Sequence, residues 1–125
     1  MDFIQLGKAQ FIALETFKKN GSGVTTPVWV APDNDTLFVW TERDSWKVKR
    51  IRNNSAVRLA ESDARGAPKS DWFSAQAQVL DSDADIQRVK KLFKSKYGFQ
   101  FTLFAIMGKL RGGENKRVAV EIKHE

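Results

Sequence analysis

Apolar and polar residues alternate with a period of two over several stretches of the chain, the spacing of strands with one buried face. From Ala9 to Phe17, residues Phe11, Ala13 and Glu15 share one parity and Ile12, Leu14 and Thr16 the other. The run ends in Lys18-Lys19-Asn20-Gly21-Ser22-Gly23, and Asn-Gly accepts the positive φ angles of a tight turn, so a hairpin is predicted there. Val24 to Ala31, rich in Val, Thr and Trp, predicts a second strand. Pro27 within it lacks an amide hydrogen and marks an edge, a bulge or a point where the backbone leaves the ladder. A turn at Pro32-Asp33-Asn34-Asp35 leads to a third strand, Thr36 to Thr41, in which Leu37, Val39 and Thr41 alternate with Phe38 and Trp40. Ala56 to Ala60, Ser70 to Leu80 and Arg117 to Lys123 predict three more strands, the first two separated by the turn-rich stretch from Asp63 to Pro68.

The period changes twice to that of a helix. Asp44 or Ser45 can cap a helix whose Val48 and Ile51 share a face, while Lys47, Lys49, Arg50 and Arg52 crowd the rest and Asn53-Asn54 ends it. Asp81-Ser82-Asp83-Ala84-Asp85 places caps and acids ahead of Ile86, Val89, Leu92 and Phe93, a helix reaching Tyr97-Gly98. Phe99 to Leu110, with Phe101, Leu103, Phe104, Ile106, Met107 and Leu110, reads as a third helix, buried or facing a second copy, broken at Gly112-Gly113. Six strands with two to three helices predict a mainly β (α+β) fold, a small antiparallel barrel with helices packed outside. The length fits one domain over residues 1–125, with no internal repeat or linker.

Composition narrows the chemistry. The sequence has no cysteine, which removes disulfides, thiolate nucleophiles and Cys-ligated metals. Its one histidine, His124, has no second His or Cys for a metal site and reads as tail, so no metal is expected. Neither a nucleophilic triad nor a carboxylate pair can be assembled, which fits a redox protein whose cofactor performs the chemistry. A formal net charge of +6 favours anionic partners. The first residues lack the pattern of a secretory signal, and no apolar run approaches a membrane span, so a soluble, cytoplasmic protein is expected. Trp29 and Trp72 read as packing residues, and Lys90, Lys91, Lys94 and Lys96 as a solvated helix face.

The junction Trp40-Thr41-Glu42-Arg43-Asp44-Ser45-Trp46-Lys47 runs from a strand into the basic helix. A helix start offers unpaired amides and a partial positive charge, to which Lys47 adds a full one and Ser45 a hydroxyl, so the junction can hold a phosphate. Two features argue for a plain surface helix: a basic face is usually solvated, and Asp44 as cap would occupy the amides itself. A resemblance begins at this junction. Thr26-Pro27-Val28-Trp29, Val39-Trp40-Thr41, Asp44-Ser45 with Lys47-Val48-Lys49-Arg50-Ile51, and Ala56-Val57-Arg58-Leu59-Ala60 together resemble the cofactor-binding core of the pyridoxamine 5'-phosphate oxidase-like split β-barrels. Asp63-Ala64-Arg65-Gly66, Ala77 to Asp81, Lys96-Tyr97-Gly98 and Arg117 to Ile122 are similar to a subgroup described as F420-dependent oxidoreductases. The likeness spans nearly the whole chain in order.

The resemblance implies a six-stranded split barrel, a homodimer with cofactor sites built from both chains, and FMN or F420 as cofactor. It implies that Ser45 and Lys47 hold the cofactor phosphate, with Arg50 one turn on as a further candidate. Trp40 and Thr41 would line the ribityl chain and ring, Thr26, Pro27 and Val28 the ring edge, with Thr25 and Trp29 completing that strand. In the true pyridoxamine phosphate oxidases an Arg begins this strand, a Lys ends it and an Arg precedes the phosphate Lys. Here those positions are Thr25, Val30 and Trp46. Losing three cationic contacts argues against vitamin B6 oxidation. Trp46 either packs on the cofactor or closes its pocket. The expected activity is hydride transfer between FMN or F420 and a small-molecule substrate. The alternatives are a non-catalytic flavin- or haem-binding module and, ranked last for want of an RNA-binding aromatic motif, a nucleic-acid binder.

Overall fold

The computed structural model describes residues 2–103 and 117–125. Its strands are β1 (Phe11–Phe17), β2 (Gly23–Val28), β3 (Val30–Asp33), β4 (Thr36–Glu42), β5 (Ala56–Ser62), β6 (Phe73–Leu80) and β7 (Arg117–His124), and its helices α1 (Trp46–Asn53) and α2 (Asp83–Tyr97). A 3-10 helix, Phe3–Lys8, precedes β1, and residues 99–103 are helical. The remainder of the predicted third helix, with Phe104, Ile106, Met107, Leu110 and the Gly112-Gly113 break, lies outside the described residues.

All seven strands form one antiparallel sheet in the order β2-β1-β5-β6-β7-β4-β3. The seventh strand comes from the segment predicted as a single strand, Val24 to Ala31, which divides at Trp29. Its first half pairs with β1 from Val24 opposite Thr16 to Val28 opposite Ile12, and its second half pairs with β4 from Val30 opposite Val39. Because β2 and β3 are the two edges of the sheet and are joined through one residue, the sheet curls until its edges meet. Pro27 sits on an edge strand, where a missing amide hydrogen is tolerated.

The inward rows of the strands make the barrel core: Ile12 and Leu14, Val28, Val30, Leu37 and Val39, Val57 and Leu59, Ala75 and Ala77, Val120 and Ile122. Phe3 and Leu6 join this cluster from the 3-10 helix and Ile51 from α1. The 3-10 helix lies near the start of β4, where a Cβ on Gly7 would meet Pro32 and Leu37, whereas α1 lies near the end of β1, where Arg50 bonds Thr16. The two helices therefore plug opposite mouths. His124, expected as tail, instead stacks on Phe3 with ring centroids 4.8 Å apart and meets Phe73 edge-on, securing the 3-10 helix against β7.

α2 covers the outer face of β3, β4 and β7. Val89, Phe93 and Tyr97, with Phe101, bury Ala31, Phe38 and Ala119, and Trp29, Trp40, Leu80 and Leu92 pack around them. Ser82 caps α2, accepting from the Asp85 amide, and Asp83 and Asp85 suit the positive end of its dipole. The outer face of β2, β1 and β5 carries the Glu15–Arg58 ion pair, with the Arg58 guanidinium 4.7 Å from the Trp72 ring, and the 63–72 loop folds over its margin. Gly66, at φ 88°, lies against Pro27, and the Asp63 carboxylate holds that turn through the amides of Arg65 and Ala67.

The end of α2 departs from the sequence reading. Lys96 is not part of a solvated face: its ammonium donates to the carbonyls of Ala9 at 2.5 Å and Val30 at 2.6 Å. Beside it the Tyr97 hydroxyl accepts from the Val30 amide at 3.0 Å and donates to the Gln10 carbonyl at 2.9 Å. Burial pushes Lys96 down from 10.5 to about 8 and Tyr97 up from 10.0 to about 12.

Tyr97→Phe removes the hydroxyl that relays the Val30 amide to the Gln10 carbonyl and should cost about 1 kcal/mol of stability in chemical denaturation. Between pH 8 and 10 the unfolded chain still holds the Lys96 proton while the folded chain releases it. Stability relative to Lys96→Met should therefore rise with pH across that window. Above pH 10 the absolute stability of both proteins should fall, because the unfolded Tyr97 phenol ionises before the folded one. Denaturation series at stepped pH on both proteins check the sign.

Candidate functional site

The site is assembled where β4 hands over to α1. β4 ends at Glu42, and the Ser45 amide donates back to the Glu42 carbonyl at 3.2 Å, turning the chain into the helix. Ser45, not Asp44, is the cap: its Oγ accepts from the Val48 amide at 3.4 Å. An accepting hydroxyl keeps its own hydrogen, so Ser45 can still donate outward. The charge of Asp44 is accordingly not spent on the helix amides, which removes one objection to an anion at this end.

Lys47 is half-buried in the first turn of α1, and among the described residues it makes no hydrogen bond or ion pair. Burial, and then the neighbouring Arg50, hold its ammonium below the ordinary lysine range, with Glu42 opposing them. Arg50 reaches across to β1, its Nε donating to the buried Thr16 hydroxyl at 2.6 Å. Arg43, in the loop that leads to α1, has a buried Nε with no hydrogen-bond partner among the described residues. Such a corner is costly while its cations are unmatched, and an anion offsets the cost.

Sheet parity divides the sequence-predicted residues into three groups. Thr26 lies opposite Leu14, and Val24 opposite Thr16, so Thr26 shares the inward face of β2 with the row that meets Arg50. Val28 shares that row and is buried in the core. Thr41 is likewise buried on the inward parity of β4, next to the loop that leads to Ser45, Lys47 and Arg50. Thr25 and Pro27 stand on the opposite, outer face, across from Glu15 and Ala13. Trp29 and Trp40 form the third group, under α2. Trp29 stacks on Tyr97 at 4.3 Å, and Trp40 packs against Phe93 and Phe101, on the other side of β4 from Thr41.

Trp46 neither closes a pocket nor packs inward. It is 71% exposed, with the Lys49 ammonium 4.4 Å from its ring centroid. Val30, the position where the oxidases carry a Lys, is fully buried at the start of β3 and offers no room for a charge. Two residues at or near the corner, Thr16 and the loop residue Arg43, were missed in the sequence. Thr16 had a visible signal, a polar residue continuing the inward Ile12-Leu14 row; Arg43 had none, since its burial is a tertiary fact. No cluster of three or more His, Cys, Asp or Glu that could hold a metal occurs among the described residues.

No family profile and no curated protein matches the chain by sequence. Solved structures match it in shape. A candidate pyridoxamine 5'-phosphate oxidase from Listeria innocua superposes with a TM-score of 0.64 at 16% identity, covering 96% of this chain and 87% of that one. HutZ, the haem storage protein of Vibrio cholerae, gives 0.70 at 12% identity, over 96% and 84% of the two chains. An F420 reductase gives 0.60 at 17% identity, over 100% and 94%. Sheet order, the plugged mouths and these superpositions agree: the chain has the split β-barrel fold of the pyridoxamine 5'-phosphate oxidase-like proteins.

Proposed function

We propose that the chain binds a flavin-type cofactor, FMN or F420, and works as an oxidoreductase that passes a hydride to or from a small molecule. The observation that carries this reading is Lys47: a half-buried cation with no hydrogen bond or ion pair among the described residues, beside Arg50 and at a helix start, with Glu42 only partly offsetting its burial. A cofactor phosphate supplies the missing counter-charge, and the residues present fit one. Lys47 and the outward hydrogen of Ser45 would hold it, with Arg50, already fixed by Thr16, shaping the corner. Arg43 would contribute if its unpartnered Nε turns to the same anion. The inward row of β2, with Thr26, stands nearest to this corner for the ring. When bound, the cofactor supplies hydride chemistry; the chain binds, orients and keeps water out. Resemblance to an F420 reductase structure is consistent with this reading.

A second copy belongs to the proposal. It would lie against the outer face of β2, β1 and β5, which α2 leaves to Thr25, Pro27, Glu15 and Arg58. That would also give the outward-facing members of the ring strand, Thr25 and Pro27, a role at the interface. Sedimentation at micromolar concentration should show a dimer, and a monomer there would remove this part.

The second reading is a binder without turnover, favoured by the likeness to HutZ. Within it a flavin fits better than haem, because the chain's one histidine is stacked on Phe3 at the mouth opposite α1. Bound cofactor that no reductant and acceptor pair cycles would select this reading.

Lys47→Ala should weaken FMN or F420 binding about 10- to 100-fold, the worth of one charge-assisted hydrogen bond. Riboflavin, which lacks the phosphate, should be affected far less. Unchanged titration of both phosphorylated cofactors would sink the assignment of Lys47.

A further inference from the structure

The split in the barrel is held by two side chains of α2. The β1–β2 ladder matches Leu14 with Thr26 and Ile12 with Val28, so its next rung would match Gln10 with Val30. That rung is not made directly. The Val30 amide donates to the Tyr97 hydroxyl, and the hydroxyl donates on to the Gln10 carbonyl, with the Val30 carbonyl a further acceptor at 3.1 Å. One ladder bond spans about 2.9 Å between heavy atoms, and a hydroxyl inserted as a relay replaces it with two bonds in series. The Lys96 ammonium bridges the same gap, from Ala9 to Val30. At this point the chain stops following β1 and crosses to β4, and the residue that makes the crossing, Trp29, lies flat on the Tyr97 ring with an interplanar angle of 7°.

We propose that Tyr97 and Lys96 are positioning residues for the ring strand of the cofactor site: their hydroxyl and ammonium are spacers that hold the barrel's split at a set width and so fix where Thr25 to Trp29 stand. This rests on the flavin reading above. It follows from the connectivity, because among the described residues β2 has β1 as its one neighbour in the sheet. Its far end is tied by the hairpin at Gly21, and its near end by Trp29 and Val30. Without the spacers, Val30 can close directly onto Gln10 and draw Trp29 and Val28 with it. The phosphate corner lies at the other end of β2, by Thr16 and α1, so ring and phosphate are positioned by separate devices.

The test titrates Tyr97→Phe, Lys96→Met and Lys96→Arg with FMN and riboflavin, or with F420 and its phosphate-free chromophore if the wild type takes that pair. Tyr97→Phe and Lys96→Met should weaken both members of the pair about tenfold, leave their ratio unchanged and shift the absorption spectrum of the bound chromophore. Lys96→Arg, which keeps a cation for the two carbonyls, should restore affinity and spectrum. Lys47→Ala should do the reverse, changing the ratio and leaving the spectrum. Wild-type affinity and spectrum in folded Tyr97→Phe, or in Lys96→Met where Tyr97→Phe does not fold, would overturn the proposal, as would a changed ratio. A wild-type protein that takes none of the four ligands removes the flavin reading, and the positioning role with it.

Discussion

The two edges of the sheet are consecutive stretches of one chain. β2 ends at Val28 and β3 starts at Val30, so the sheet must curl through its whole width for a single residue, Trp29, to join them. Much else in the molecule serves that closure. Curling turns the inward rows into an enclosed core, which leaves two open mouths, and the 3-10 helix and α1 fill them with Phe3, Leu6 and Ile51. It also leaves a seam where the backbone changes partners and its polar groups would go unpaired. α2 supplies the missing partners through Tyr97 and Lys96.

Putting α1 at a mouth has an electrostatic consequence. A helix that plugs a barrel directs one face, Val48 and Ile51, into the core and must leave its charged residues at the rim. Lys47 and Arg50 are therefore half-buried rather than solvated, and Thr16 at the end of β1 fixes Arg50 near Lys47, where burial and the second cation outweigh the pull of Glu42. The same closure that stabilises the barrel creates a place where an anion is worth more than on an open surface.

Fold and function also part company here. Barrels with this architecture include a haem storage protein and an F420 reductase, so the sheet alone carries no activity. What distinguishes this chain is local: Trp46 standing in solvent, Val30 buried where the oxidases have a Lys, and Thr25 turned to the outer face. These positions leave the cations of the β4–α1 junction beside a neutral strand.

The sequence by itself determined most elements, because strand alternation, the Asn20-Gly21 turn and the Ser45 and Ser82 caps are local devices whose physics needs few neighbours. The grouping of Ser45, Lys47 and Arg50 was legible for the same reason: they lie together at the start of one helix. Only the tertiary structure decided where a strand changes partners. Within Val24 to Ala31 the sequence marks Pro27 as an edge or a break, but Pro27 stays paired with Ala13 and the division falls at Trp29, which follows from closing the sheet, a condition set by residues far along the chain. For that reason Lys96 read as surface and His124 as tail. Each has its partners, Ala9 and Val30 or Phe3, more than sixty positions away, and no local period encodes such a pairing.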